Sequence, residues 1–314
     1  MTQSFRNLAI VALCIILPHH SSLAQDLPST IVGCAEVSCP KTNGSDDTCT
    51  VSDETFAGIG LARIPGLPDS LGGLSLVKGV NISVSGPGPD SNGEDRQYKS
   101  VYYLGTPAAL GLVTLEGCAV IFHSTVNGTK FQGEDMSTEQ GSCPDIITQS
   151  CIDALTQQAV RSWNNAAGTN RCDSIDNTLQ ANILDECADM TGTGRGLGDF
   201  SVEALSGLSS ITADQNSSSN CWPITPKTDT LTKITEDTAS DGYDFEDFQD
   251  QVYKVTPVLT ILSTPENDTT SQLTCLKVIT TSQPDNDGEN AASSSSYNML
   301  GAILVSALVS LLVL

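Results

Sequence analysis

Up to about residue 140 the apolar positions fall in short runs broken by Gly and Pro, a pattern that predicts strands rather than helices. Val77 to Ser85, Gln97 to Leu104, Gly111 to Leu115 and Cys118 to Val126 are rich in Val, Ile, Tyr and Thr, and each predicts a strand. The Gly/Pro/Asp stretch from Gly86 to Asp95 predicts an exposed loop between two of them. Cys118 to Val126 is apolar on both faces over its first half, which predicts a central strand. It runs into Asn127-Gly128, a dipeptide that favours a tight hairpin turn.

Beyond Gly141 the apolar spacing lengthens to three and four. Pro144 suits a first helical turn, and Ile147, Cys151, Ile152, Leu155, Ala159 and Trp163 follow as one helical stripe. A second helix is predicted from Ser174 to Met190 through Ile175, Leu179, Ile183 and Cys187. A third, capped by Asp199, would carry Val202, Leu205 and Leu208. Two strand candidates, Gln251 to Leu262 and Ser271 to Thr280, come last. The predicted fold is therefore α+β: an antiparallel sheet or sandwich, β-rich over 45–135, with a disulfide-pinned helical region over 143–210 inserted before strands that return over 251–280. A β domain followed by an α domain is the other arrangement this order allows.

The two ends of the chain read as processing signals. Arg6, the apolar run Leu8 to Leu17 and the small residues Ser22 and Ala24 predict a secretory signal peptide over 1–24, cut after Ala24. At the other end a polar linker over 283–298 precedes an uncharged apolar tail, Met299 to Leu314, and the last basic residue is Lys277. A spanning helix needs roughly 20 apolar residues and basic flanks, so a glycosylphosphatidylinositol (GPI) attachment signal fits better. Asn290, followed by Ala291 and Ala292, and Gly288 are the candidate attachment residues. A single-pass membrane protein with an acidic ectodomain is the alternative. The extracellular domain would then occupy 25–282, and its expected place is the outer face of the plasma membrane.

Cysteine usage agrees with that compartment. Of eleven cysteines, Cys14 falls in the signal peptide, leaving Cys34, Cys39, Cys49, Cys118, Cys143, Cys151, Cys172, Cys187, Cys221 and Cys275. An even set in an oxidising route predicts five disulfides, with the connectivity left open by spacing alone. No CxxC cluster suggests zinc. Sequons at Asn43, Asn81, Asn127, Asn216 and Asn267 add N-glycosylation. A net charge of −23 argues against nucleic acid and anionic lipid surfaces as partners.

Few residues offer chemistry, because His19 and His20 would leave with the signal peptide and His123 is the histidine that remains. That excludes HExxH zinc proteases and any two-histidine mechanism. A Ser-His-Asp array would have to use His123, whose expected role is structural, on a sheet face. GxSxG is absent, and the run Thr191 to Gly198 lacks the spacing of a phosphate loop. Glu236 to Asp250 is expected to be a solvated acidic loop whose aromatics dip into the core, binding Ca²⁺ weakly at best. Tyr98, Tyr102, Tyr103 and Trp222 are the available aromatics for a sugar platform, with core packing the expected use. No catalytic, cofactor or metal residue is singled out.

The segments Tyr102-Tyr-Leu-Gly-Thr-Pro107, Leu115-Glu-Gly-Cys-Ala-Val-Ile-Phe122 and Gly141-Ser-Cys-Pro-Asp145 with Cys151, inside this layout of signals and sequons, resemble the GPI-anchored cell-surface proteins of filamentous fungi. The likeness spans about residues 45 to 280 and implies a surface location without an assigned activity. Cysteine-rich fungal iron-acquisition (CFEM) domains carry eight tightly clustered cysteines, a pattern this wide spacing does not match, so no haem is implied. The expected function is a non-catalytic surface role, structural or ligand-binding, towards cell-wall polysaccharide or surface proteins. The alternative is a secreted carbohydrate-active hydrolase working through an Asp/Glu pair.

Overall fold

The computed structural model describes residues 49–278 apart from 52–53, 85–95, 108–109, 111–114, 124–140, 167, 183, 191–195, 207, 209, 212–229, 242–244 and 265–267. The segment expected to be a signal peptide, the apolar tail and its candidate attachment residues, Cys34, Cys39, Cys221, Trp222 and the sequons at Asn43, Asn127, Asn216 and Asn267 lie outside that set.

Two antiparallel sheets face each other. Strands β1 (Cys49–Val51) and β2 (Glu54–Phe56) form a small hairpin. Next come β3 (Gly58–Arg63), β4 (Ser75–Val84), β5 (Arg96–Thr106) and β6 (Glu116–Phe122). Helices α1 (Gln149–Asn165) and α2 (Arg171–Ala181) follow, then β7 (Phe200–Ala204), β8 (Ser210–Ile211) and β9 (Thr230–Asp241). Helix α3 (Phe245–Val252), β10 (Thr256–Ser263) and β11 (Thr269–Leu276) complete the order. The five-stranded sheet runs β3-β4-β5-β9-β8 and the four-stranded sheet β11-β10-β6-β7.

β6 shows how the layers stack, since its side chains alternate between two neighbours. Ala119 and Ile121 join Leu76, Leu104 and Ile234 of the five-stranded sheet in one core. Cys118, Val120 and Phe122 point the other way, into the helices. The result is three layers, sheet on sheet on helices, with the helical segment inserted between β6 and the strands β7 and β10 that flank it. The α+β fold with inserted, disulfide-pinned helices is thus what the chain adopts. On the outer face of the five-stranded sheet Phe56 lies over Gly79, where a Cβ would come within 2.6 Å of its ring, and meets Tyr103 edge-on at 6.2 Å.

The helix stripe of α1 buries Cys151, Leu155, Ala159 and Trp163, and Thr148 caps its start by accepting from Cys151 N at 3.3 Å. Three disulfides hold the helical layer. Cys118–Cys172 ties α2 to β6, Cys143–Cys275 ties the entry of α1 to β11, and Cys151–Cys187 ties α1 to the segment after α2. Arg171 adds a bridge, stacked 4.8 Å over Trp163 and ion-paired with Glu116 at 3.2 Å.

Four local expectations change. The strand expected from Gln251 begins only at Thr256, because Gln251 and Val252 complete α3. The second helix stops at Ala181 instead of Met190, Asn182 is extended, and a short turn at 185–187 brings Cys187 to Cys151. The segment expected as a third helix is strand β7: Phe200 and Val202 pack towards the helices while Ser201 and Glu203 face the other way, a period of two. The acidic segment Glu236 to Asp250 is not one solvated loop. Its first part ends β9 and its last part is α3, although Phe248 does enter the core as expected.

Candidate functional site

Between the two sheets a band of polar side chains separates two apolar clusters. One cluster gathers Leu76, Ile121, Val258 and Leu262; the other gathers Val80, Tyr98, Phe248 and Tyr253. Strand register builds the band. Lys78 pairs with Tyr102, and Ser100 with Asp237, so these four share the inner face of the five-stranded sheet. Opposite them, Ile121 pairs with both Val258 and Ser201, which turns Ser201 inward. His123 lies two residues beyond Ile121 on the same face, and its N–H donates to Asp199 O at 2.8 Å, extending the ladder by a step.

The closed end of the band belongs to Lys78. Its Nζ is fully enclosed and donates to Lys254 O at 2.9 Å and to Thr256 Oγ1 at 3.0 Å. Burial, helped by the charge of Lys254 and opposed by Asp237, pushes the amine down to about 7. The Tyr102 hydroxyl bonds to Thr256 and Ser100, and burial outweighs those bonds to push it up to about 12. Lys254 itself is lowered by burial, with Asp237 and Asp199 opposing.

Towards the open end stand three side chains from three strands or their ends. His123 Nε2 lies 3.1 Å from Ser201 Oγ, and its Nδ1 lies 3.4 Å from Asp237 Oδ2. The imidazole is 13% exposed and the carboxylate 46%. Burial lowers the His123 pKa; Asp237 and Asp199 work against that, and Lys254 and Lys78 add to it. The ring is therefore neutral at pH 7. In the tautomer protonated on Nδ1, the nitrogen nearer the carboxylate, Nε2 is free to accept the Ser201 proton.

The remaining sequence candidates fall elsewhere. Tyr98, Tyr102 and Tyr103 are buried in the core, so none forms an exposed platform. Glu236 pairs with Lys233 at 2.6 Å and Lys99 at 3.3 Å, and Lys99 also pairs with Glu54. Hydrogen bonds from Lys233 first, then Lys99, hold Glu236 below the usual carboxylate range. A glycosidase acid needs the opposite shift. Asn81 sits in β4 with its Nδ2 donating to Thr55 O at 2.5 Å. Among the described residues no cluster of three or more His, Cys, Asp or Glu could hold a metal ion. A groove of about 600 Å³ runs along α2 past Asp173, Asn177 and Asn182, but its amides bond back to their own helix.

Neither a protein-family model, a curated protein nor a solved structure matches this chain. Sequence reasoning singled out His123 and missed its partners. Ser201 was hidden in a stretch read as helix, and Asp237 in a stretch read as loop. The alternation Phe200, Val202, Ala204 against Ser201 and Glu203 was the signal that could have revealed the first.

Proposed function

We propose that this chain is an extracellular surface glycoprotein, carried by a GPI anchor, whose folded domain plays a structural or ligand-binding role at the cell surface. The observation that carries the reading is the trio of disulfides, two pinning the helical layer to the four-stranded sheet and one closing that layer on itself, since such staples persist in oxidising compartments and are rare in the cytosol. Among the described residues no helix is long and apolar enough to cross a membrane. In this reading the tail Met299 to Leu314 provides attachment. The sequons and the net charge of −23 suit a hydrated, self-repelling ectodomain. Cell-wall polysaccharide or neighbouring surface proteins are the partners in this reading. The Asp/Glu-pair hydrolase gains no support from Glu54 and Glu236, the two carboxylates that Lys99 draws together.

The test is enzymatic release. A phosphatidylinositol-specific phospholipase should free the protein from intact cells, and Val305→Arg should block its processing, because a charge there costs about 3 kcal/mol in an apolar environment. Retention on membranes after the phospholipase, together with survival of a C-terminal epitope tag, overturns the lipid anchor in favour of a membrane-spanning tail.

A further inference from the structure

The geometry points to a nucleophile relay in which Ser201 attacks an acyl ester, His123 accepts the serine proton and Asp237 orients the imidazole, giving the domain an ester-hydrolysing activity. Three residues that the sequence scatters are brought into line by sheet pairing. Ser201 Oγ lies 3.1 Å from His123 Nε2, and Asp237 Oδ2 lies 3.4 Å from Nδ1, so the serine and the carboxylate engage opposite nitrogens of one ring. That order of contacts is what proton transfer from serine through imidazole needs. The 3.4 Å contact is an ion-pair distance, longer than the roughly 2.6–3.2 Å of a catalytic hydrogen bond, a looseness common before substrate is bound.

Two further features fit. The ladder bonds His123 N to Asp199 O and Leu205 N to Gly117 O set the alternation along β7, so the Val202 N–H turns away from β6 towards an edge with which no described strand pairs. That N–H, next to the nucleophile, is placed to donate to a developing oxyanion. A single backbone donor favours esters over amides, because an alkoxide leaves with less assistance than an amine. In addition, the ring is held neutral at pH 7 while Asp237 from β9, Asp199 before β7, Lys254 before β10 and Lys78 from β4 all act on it.

The chemistry balances without any added cofactor. Ser201 Oγ bonds to the acyl carbon, its proton passes to Nε2, and the same proton leaves on the alcohol as the C–O bond breaks. Water then adds to the acyl-serine, gives a proton through Nε2 back to Ser201, and releases the carboxylic acid. The proposal rests on the fold and not on the anchor, so phospholipase release and esterase activity succeed or fail separately.

The intact secreted protein is treated with a fluorophosphonate probe and, in parallel, assayed on 4-nitrophenyl acetate. The expected results are a phosphonylated peptide containing Ser201 and a rate that rises with pH to a plateau by about pH 7, as a neutral base requires. Ser201→Ala should abolish the label and lower the rate at least ~100-fold, and Asp237→Asn should lower it while keeping the label site. Ser201→Thr, which keeps the hydroxyl and the strand, guards against a folding artefact through its melting curve. Absence of label on Ser201 in folded wild-type protein, or an unchanged rate in folded Ser201→Ala, overturns the relay and leaves His123 as a structural link between the sheets.

Discussion

Lys78 Nζ donates to Thr256 Oγ1 across the gap between the sheets, at 3.0 Å, and both residues are almost wholly buried. A lysine in that position is held by hydrogen bonds yet penalised for carrying charge. In the unfolded chain it keeps its proton up to its ordinary value of 10.5, whereas in the fold it gives the proton up at about 7. Between those values the unfolded state binds more protons, so stability rises with pH across the window, and the penalty is complete below it.

Lys78→Met should therefore flatten that dependence. Relative to wild type, the variant is expected to gain roughly 3 kcal/mol between pH 9.5 and pH 6.5, whatever its offset from lost hydrogen bonds. Urea unfolding of both proteins at the two pH values measures it. Parallel pH profiles would show that the amine titrates normally.

The disulfides differ in the loops they close. Cys143–Cys275 spans 132 positions and Cys151–Cys187 spans 36, so chain-entropy arguments assign them about 5 and about 4 kcal/mol. Replacing Cys143 and Cys275 together by Ala should lower the melting temperature more than replacing Cys151 and Cys187. Alkylation of the wild-type protein without reduction is expected to add no label.

Gly60 is fixed by contact rather than by backbone conformation. A Cβ there would stand 1.8 Å from Lys277 O, a backbone atom unable to swing aside where β3 passes the end of β11. Gly60→Ala should cost at least ~3 kcal/mol or prevent folding. Circular dichroism melts, with Gly168→Ala as an exposed comparison, distinguish this from a general cost of losing glycine; Gly168 has open space around it but adopts φ +66.

Much of the sheet-on-sheet core was legible because its period is uninterrupted. β4, β5 and β6 come from runs of branched and aromatic residues, and α1 from a stripe that stays in phase from Cys151 to Trp163. β7 was not, since five residues give too little alternation to outweigh Asp199, which looks like a helix cap. β9 was obscured by acidic side chains, which are tolerated because Glu236 reaches Lys233 and Lys99 and Asp237 reaches His123. The polar band was illegible for a deeper reason. Its members meet through strand register, and a one-residue slip would send Ser201 or Asp237 to the opposite face.

The strand order has a temporal side. β5 ends at Thr106 but waits for β9, which begins at Thr230, and β6 ends at Phe122 but waits for β10, which begins at Thr256. During synthesis both sheets therefore remain half-built, with Ile121 and its neighbours uncovered, until nearly the whole domain has emerged. Cys118–Cys172 and Cys151–Cys187 can close early, whereas Cys143 has no native partner until Cys275 arrives. Of these three bonds the last to form is then the one that locks the helical layer onto the final strand, so that layer stays unanchored at β11 until synthesis is nearly complete.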